Sequence, residues 1–159
     1  MRQAALIALV TASLIACDGR APDDPILAGV IDDRLPTALA QAPGSPSTGA
    51  EVFVDRDQGH CVLCHQLSVL DAPFQGNLGP RLDGVGARLN VDQLRLRIAA
   101  PQLVWPGTIM PAYARRLGLH QVDPKYDGEP ILSGQQIEDL VVFLAEQDQT
   151  VEALDESPI

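Results

Sequence analysis

The pentapeptide Cys61-Val62-Leu63-Cys64-His65 constrains this chain more than any other feature of it. C-x-x-C-H is the attachment motif of a c-type haem. Its two intervening residues let both sulfurs lie along one porphyrin edge, where each forms a thioether to a vinyl group. The histidine that follows swings under the ring and offers Nε2 to the iron. Two other chemistries use paired cysteines. A redox dithiol of the thioredoxin kind sits in a β-α-β context, which the flanking sequence lacks. A zinc site needs four ligands at sensible spacing, and no cysteine follows Cys64. The remaining cysteine, Cys17, lies far upstream, and three thiols cannot all pair within one chain, so a disulfide-stapled scaffold is excluded.

The rest of the sequence reads as an all-α domain with something other than side chains at its centre. A chain of 159 residues has room for one domain and its appendages. Three Phe, two Tyr and one Trp are too few for an aromatic-rich core. The folded unit is expected over residues 48–147. Thr48 to Asp57 reads as a short helix with Val52 and Phe53 inward. Asn90-Val91-Asp92-Gln93 has the pattern of a capping box, opening a helix with Leu94 and Ile98 on one face and Pro101 closing it. The clearest helix is the last. Ser133 caps it, Gln136 supplies the reciprocal partner, and Ile137, Leu140, Val141 and Leu144 recur at i, i+3, i+4 and i+7. Gly49 and Phe53 against Leu140 and Phe143 would make a close crossing of the first and last helices. Gly/Pro-rich loops occupy 76–86 and 101–130, with no strand alternation of useful length and no internal repeat. Loops of that length count against a compact domain unless a prosthetic group fills it.

Arg2 precedes an apolar stretch from Ala4 to Ala16, too short to cross a bilayer but matching the h-region of an export signal. It ends Leu14-Ile15-Ala16-Cys17, the pattern of lipoprotein processing, in which Cys17 is lipidated and residues 1–16 are removed as a signal peptide. A plain secretory signal is the alternative, leaving Cys17 a free thiol, although Leu14 is bulky where ordinary cleavage wants a small residue. Asp18 resembles the signal that retains bacterial lipoproteins at the inner membrane, and two or three acyl chains anchor stably. Both readings place the mature chain outside the cytoplasm, where c-type haem is attached. Residues 17–47 contain Pro22, Pro25, Pro36, Pro43 and Pro46 and are expected as a flexible Pro-rich tether. Extended, it would reach about 90–100 Å. A short amphipathic helix over Ile26–Leu39 is the competing expectation, and residues 148–159 read as an acidic tail.

The formal charge of −10 argues against nucleic acid as a partner. Six arginines stand between Arg81 and Arg116 against only Asp83 and Asp92. They are either a solvated face or a partner surface near the haem edge. The second iron ligand follows by elimination. Met110 is the one methionine left once Met1 departs with the signal, and it lies 45 residues beyond His65 in the stiff string Trp105-Pro106-Gly107-Thr108-Ile109-Met110-Pro111. That length passes round the haem edge to the opposite face. His60 adjoins the motif on the proximal side, which leaves His120 as the fallback ligand. Thioether ligation favours ferrous iron and raises the potential relative to two histidines. Gly79-Pro80 is positioned to set a carbonyl on Nδ1–H of His65. Arg81 and Trp105, with Arg88 and Tyr113, are candidates to meet the haem propionates or else surface and packing residues. Protein ligands on both faces suit electron transfer rather than oxygen or peroxide binding.

The strings GHCVLCH, GNLGPRLDGVGARLN, QLRLRI, TIMPAY and VDPKYDGEPILSGQQIEDLVVFLA, spanning Gly49 to Ala145, resemble the SoxX family, the monohaem c-type subunit of the SoxAX sulfur-oxidation complex. C-x-x-C-H is shared by any cytochrome c. GxLGPxLxGVGAR with TIMPAY and VDPKYxGxPILS is far more specific. The resemblance implies a class I cytochrome c-like fold with long loops around one covalently bound haem c (iron). It implies a heterodimer with a SoxA-like subunit, acting as an L-cysteine S-thiosulfotransferase. In that complex thiosulfate is coupled oxidatively to a cysteine of the carrier SoxYZ. The catalytic cysteine belongs to SoxA, and this subunit passes the electrons to a small cytochrome c. The chain departs from the plainer soluble periplasmic form in its lipoprotein signal and acidic tail. The rival reading is a stand-alone, membrane-tethered monohaem cytochrome delivering electrons to an oxidase.

Overall fold

The computed structural model describes residues 24–149. The signal peptide, Cys17 and residues 150–159 of the acidic tail lie outside them.

Three helices carry the architecture. Helix α2 (Pro46–Val54) starts where Ser45 Oγ accepts the backbone N–H of Thr48 and Pro46 supplies a preset φ in the first turn. Helices α4 (Val91–Ala99) and α5 (Gly134–Ala145) each open with a complete capping box, Asn90 with Gln93 and Ser133 with Gln136. Two single turns, α1 (Pro25–Ala28) and α3 (Val85–Arg88), are the other α-helices of the described residues, and α3 begins at the end of the stretch 76–86 expected as a loop. Among the described residues there is no strand, only an isolated bridge between Ile31 and Arg34.

The core forms where α2 and α4 pack on α5. Val52, Phe53, Leu94, Ile98, Ile137, Leu140, Val141, Phe143 and Leu144 are all buried in one cluster. Gly49 makes the close α2–α5 approach possible. A Cβ there would overlap the Asp139 carbonyl oxygen and stand 2.7 Å from Phe143 Cβ. One turn on, Phe53 meets Phe143 edge-to-face with ring centroids 5.9 Å apart.

The expected tether is corrected from Asp24 onward: this segment is a strap laid across the helices. Its hydrophobic register puts Leu35 onto Leu96, Ala99 and Ala100 with 2% of its surface exposed, which contributes roughly 2 kcal/mol. Its polar register is equally specific. Arg95, buried on α4, forms a two-pronged pair with Glu138 of α5 at 2.8 and 2.9 Å, and its Nη1 donates to the Leu35 carbonyl at 2.8 Å. Glu138 Oε1 also accepts the Leu39 N–H, and Asp139 Oδ1 accepts that of Ser45. Both acids are buried on α5. Instead of the amphipathic helix considered over Ile26–Leu39, the strap has α1 and then a tight turn.

Candidate haem site

The motif is delivered by the end of α2. After Asp55 the chain turns, and His60 takes a left-handed conformation (φ 46°), uncommon for a side-chain-bearing residue. A 3-10 turn then runs over Cys61–Leu63, with the Cys64 and His65 N–H groups both donating to the Cys61 carbonyl. The next loop folds back along the motif: Gly76 N–H donates to Val62 and Gly79 N–H to Cys64, each at 2.8 Å.

That return path fixes His65. Its Nδ1–H donates to the Pro80 carbonyl at 2.8 Å, so Nε2 keeps its lone pair free. Gly79 lies flat on the imidazole, and a Cβ there would stand 2.6 Å from Nδ1 and 2.8 Å from Nε2. Only glycine fits between this loop and the ring. The Arg81 side chain is half-exposed. Its guanidinium donates to Gln66 at 2.6 Å and to Ser68 and Asp83 at 2.9 Å, pinning the two sides of the loop together. Burial works to raise the Asp83 carboxyl, but hydrogen bonds from Ser68 and Arg81 outweigh it and hold it below its ordinary value. Arg88 donates to the Asp83 and Arg81 carbonyls.

The other four arginines of the 81–116 segment are likewise engaged within the chain. Arg95 is buried, Arg97 binds Asp33, Arg115 donates to the Leu117 carbonyl, and Arg116 pairs with Glu129. The arginine-rich segment is therefore dispersed over internal partners.

Met110 is half-buried and packs against the same core cluster as Cys61. Its N–H donates to Thr108 Oγ1, and the Gln102 amide donates to its carbonyl at 2.8 Å. Tyr113, three residues later, is buried and donates to the Gly59 carbonyl at 2.9 Å, tying the methionine side of the fold to the cysteine side. Burial and the two nearby thiols push its phenol well up. Trp105 is half-exposed with the Arg97 guanidinium 5.2 Å from its ring centroid. His120 is exposed. Gln75, which accepts the Leu67 N–H and donates to the Leu70 carbonyl, escaped the sequence reading along with Gln102 and Thr108, because a loop glutamine or threonine bonded to backbone has no local signature.

The donor set fits a c-type haem. Two unpaired thiols and an imidazole with one nitrogen already engaged stand on a single turn. Exposed Leu63 and Ile109 add apolar surface on the segments that carry the motif and Met110. The alternatives fit poorly. Burial pushes the Cys61 thiol up to about 12, with Cys64 adding to the rise, whereas reactive dithiols depend on a lowered value. Among the described residues, no three or more His, Cys, Asp or Glu side chains converge to hold a metal ion, so zinc lacks its ligand set.

The family model described as Cytochrome c matches residues 46–148. A chain of the crystal structure of SoxXA from P. pantotrophus is 35% identical with a TM-score of 0.69, over 75% of this chain and 93% of that one. The c-type cytochrome SorU from Sinorhizobium meliloti is 22% identical with a TM-score of 0.43, over 66% and 92%. No curated protein matches.

Proposed function

Because the chain belongs to the cytochrome c family, as a SoxX-like member with the class I fold and one covalently bound haem c, we propose that it is the electron-transfer subunit of a SoxAX-type complex. The observation that carries this reading is the likeness to SoxXA at 35% identity over nearly the whole of that chain. In the proposed reaction the SoxYZ cysteine loses its S–H proton, its sulfur joins the terminal sulfur of thiosulfate, and two electrons leave. Cys61 and Cys64 are the cysteines of the described residues, and the motif consumes both. Among the described residues no thiol remains to act as nucleophile, which supports placing the catalytic cysteine on the SoxA-like partner.

The haem supplies a one-electron iron couple. The chain's own part is to hold it. Cys61 and Cys64 would hold it covalently, and His65, aimed by Pro80 and Gly79, would bind its iron. Met110 would supply a thioether, which favours the ferrous state. Electrons pass on to a small cytochrome c. Among the described residues no helix is long and apolar enough to cross a membrane. Periplasmic placement at the inner membrane, through lipid on Cys17, remains part of the proposal. With the strap docked from Asp24, residues 18–23 would hold the domain within roughly 25 Å of that anchor.

The full-length native protein should co-purify with a second c-type subunit, and adding thiosulfate with SoxYZ should reduce its haem. A protein that runs alone in extracts oxidising thiosulfate would return the assignment to the stand-alone shuttle.

A further inference from the structure

The loop that carries Met110 is thinly held along its own length. Pro106, Gly107, Ile109 and Pro111 are exposed, and a Cβ on Gly107 would meet nothing within 4 Å. Both of its ends, however, are tied to the N-terminal strap. Beyond Met110, Asp24 Oδ2 accepts the backbone N–H groups of Arg116 at 2.6 Å and Leu117 at 3.0 Å, while Oδ1 caps α1 at Ile26. Ahead of Met110, Asp33 Oδ2 binds Arg97 Nη2 at 3.2 Å and the Gln93 amide at 2.7 Å. The same Arg97 guanidinium stacks over Trp105, five residues before the methionine.

Asp24 is 2% exposed. Burial works to raise its carboxyl, but the donors on Leu117, Arg116 and Ile26, with Arg115 4.0 Å away, outweigh it and keep it ionised at neutral pH. A charged acceptor on two backbone N–H groups is a strong, directional anchor.

We propose that Asp24 and Asp33 are positioning residues for the Met110 thioether, the strap clamping the loop at both ends and so holding the sixth ligand on the iron. This rests on the reading of Met110 as axial ligand. An open loop leaves the iron free for an external ligand, so the apparent affinity of a competitor measures the fraction of open molecules.

The test uses the full chain with haem attached, titrated in the ferric state with imidazole. Asp24→Asn should raise the apparent imidazole affinity about tenfold and Asp33→Ala about threefold, because each increases the open fraction. Both should weaken the ferric charge-transfer band of His/Met ligation with haem content unchanged. In a Met110→Ala background neither substitution should alter imidazole affinity, since no thioether competes. Absence of the band from the unsubstituted protein would overturn Met110 ligation itself. A normal band with affinities within twofold of the parent for both variants would overturn the clamp alone. So would an equal rise in the Met110→Ala background. Should Asp24→Asn fail to fold, Asp33→Ala decides, its carboxylate being half-exposed.

Discussion

At the α2–α5 crossing the two backbones touch through Gly49, and Phe53 stands edge-on to Phe143. Between Trp105 and Pro111 only Thr108 and Met110 are even half-buried. These two regions serve opposite sides of one proposed site. The crossing presents the cysteine motif and His65 from a scaffold of interlocked helices. The loop presents Met110 from a span with few contacts of its own, anchored at its ends by carboxylates of the strap. Local opening is cheapest where apolar contacts are fewest, so the methionine side is the part of the site that can move while the helices stay packed.

The largest effect expected belongs to the crossing side. Arg95→Met would leave Glu138 buried with only the Leu39 N–H as partner, and breaking a buried pair in this way costs about 3–5 kcal/mol. The denaturant midpoint should fall accordingly, and Arg95→Met with Glu138→Met should recover most of it. A loss under about 1 kcal/mol would mean that the ion pair does not fix the α4–α5 arrangement. A matched pair of glycines draws the contrast more finely. Gly49→Ala forces a methyl against Asp139 and Phe143 and should destabilise by about 1–3 kcal/mol despite alanine's better helix propensity. Gly107→Ala meets open space and should change stability by no more than about 0.5 kcal/mol. Equal effects at the two positions would erase the distinction between the regions.

What was legible in the sequence was local. The capping boxes at Asn90 and Ser133 need only residues three apart, and the periodicity of α5 needs only one helix face. The covalent haem followed from five consecutive residues. The strap was illegible for the converse reason. Proline and acidic residues read as disorder by composition, yet Asp33 is ordered by Gln93, 60 residues away, and Leu39 by Glu138, 99 residues away. The burial of Glu138 and Asp139 is equally illegible, because their partners include backbone N–H groups of the strap. Arg81 shows the same limit within the site. Its type suggested a propionate contact or a surface role, and its bonds to Gln66, Ser68 and Asp83 had no signal, because those residues come together only once the loop has folded back on the motif.

The smallest effect expected is an acid transition confined to the loop. Asp24 has its carboxyl held below the ordinary carboxylate range in the folded protein, so its contribution is present above the unfolded value of about 3.9 and is lost as the pH falls through the lower, folded value. Protonation removes the charge from the Arg116 and Leu117 N–H bonds, worth about 1–2 kcal/mol to the loop anchor. Asp33 is lowered too, by the Gln93 amide first and then by Arg97, and it is released in the same acid range. The contacts of Gly49 and Phe53 with Phe143 at the crossing are apolar and do not titrate. Acidification of the ferric protein should therefore weaken the His/Met charge-transfer band before helical circular dichroism declines. In Asp24→Asn the band should start weaker and lose less of its intensity over the same range. Coincident loss of band and helicity in both proteins would mean that loop and core open as one unit, and the contrast drawn between them would fail.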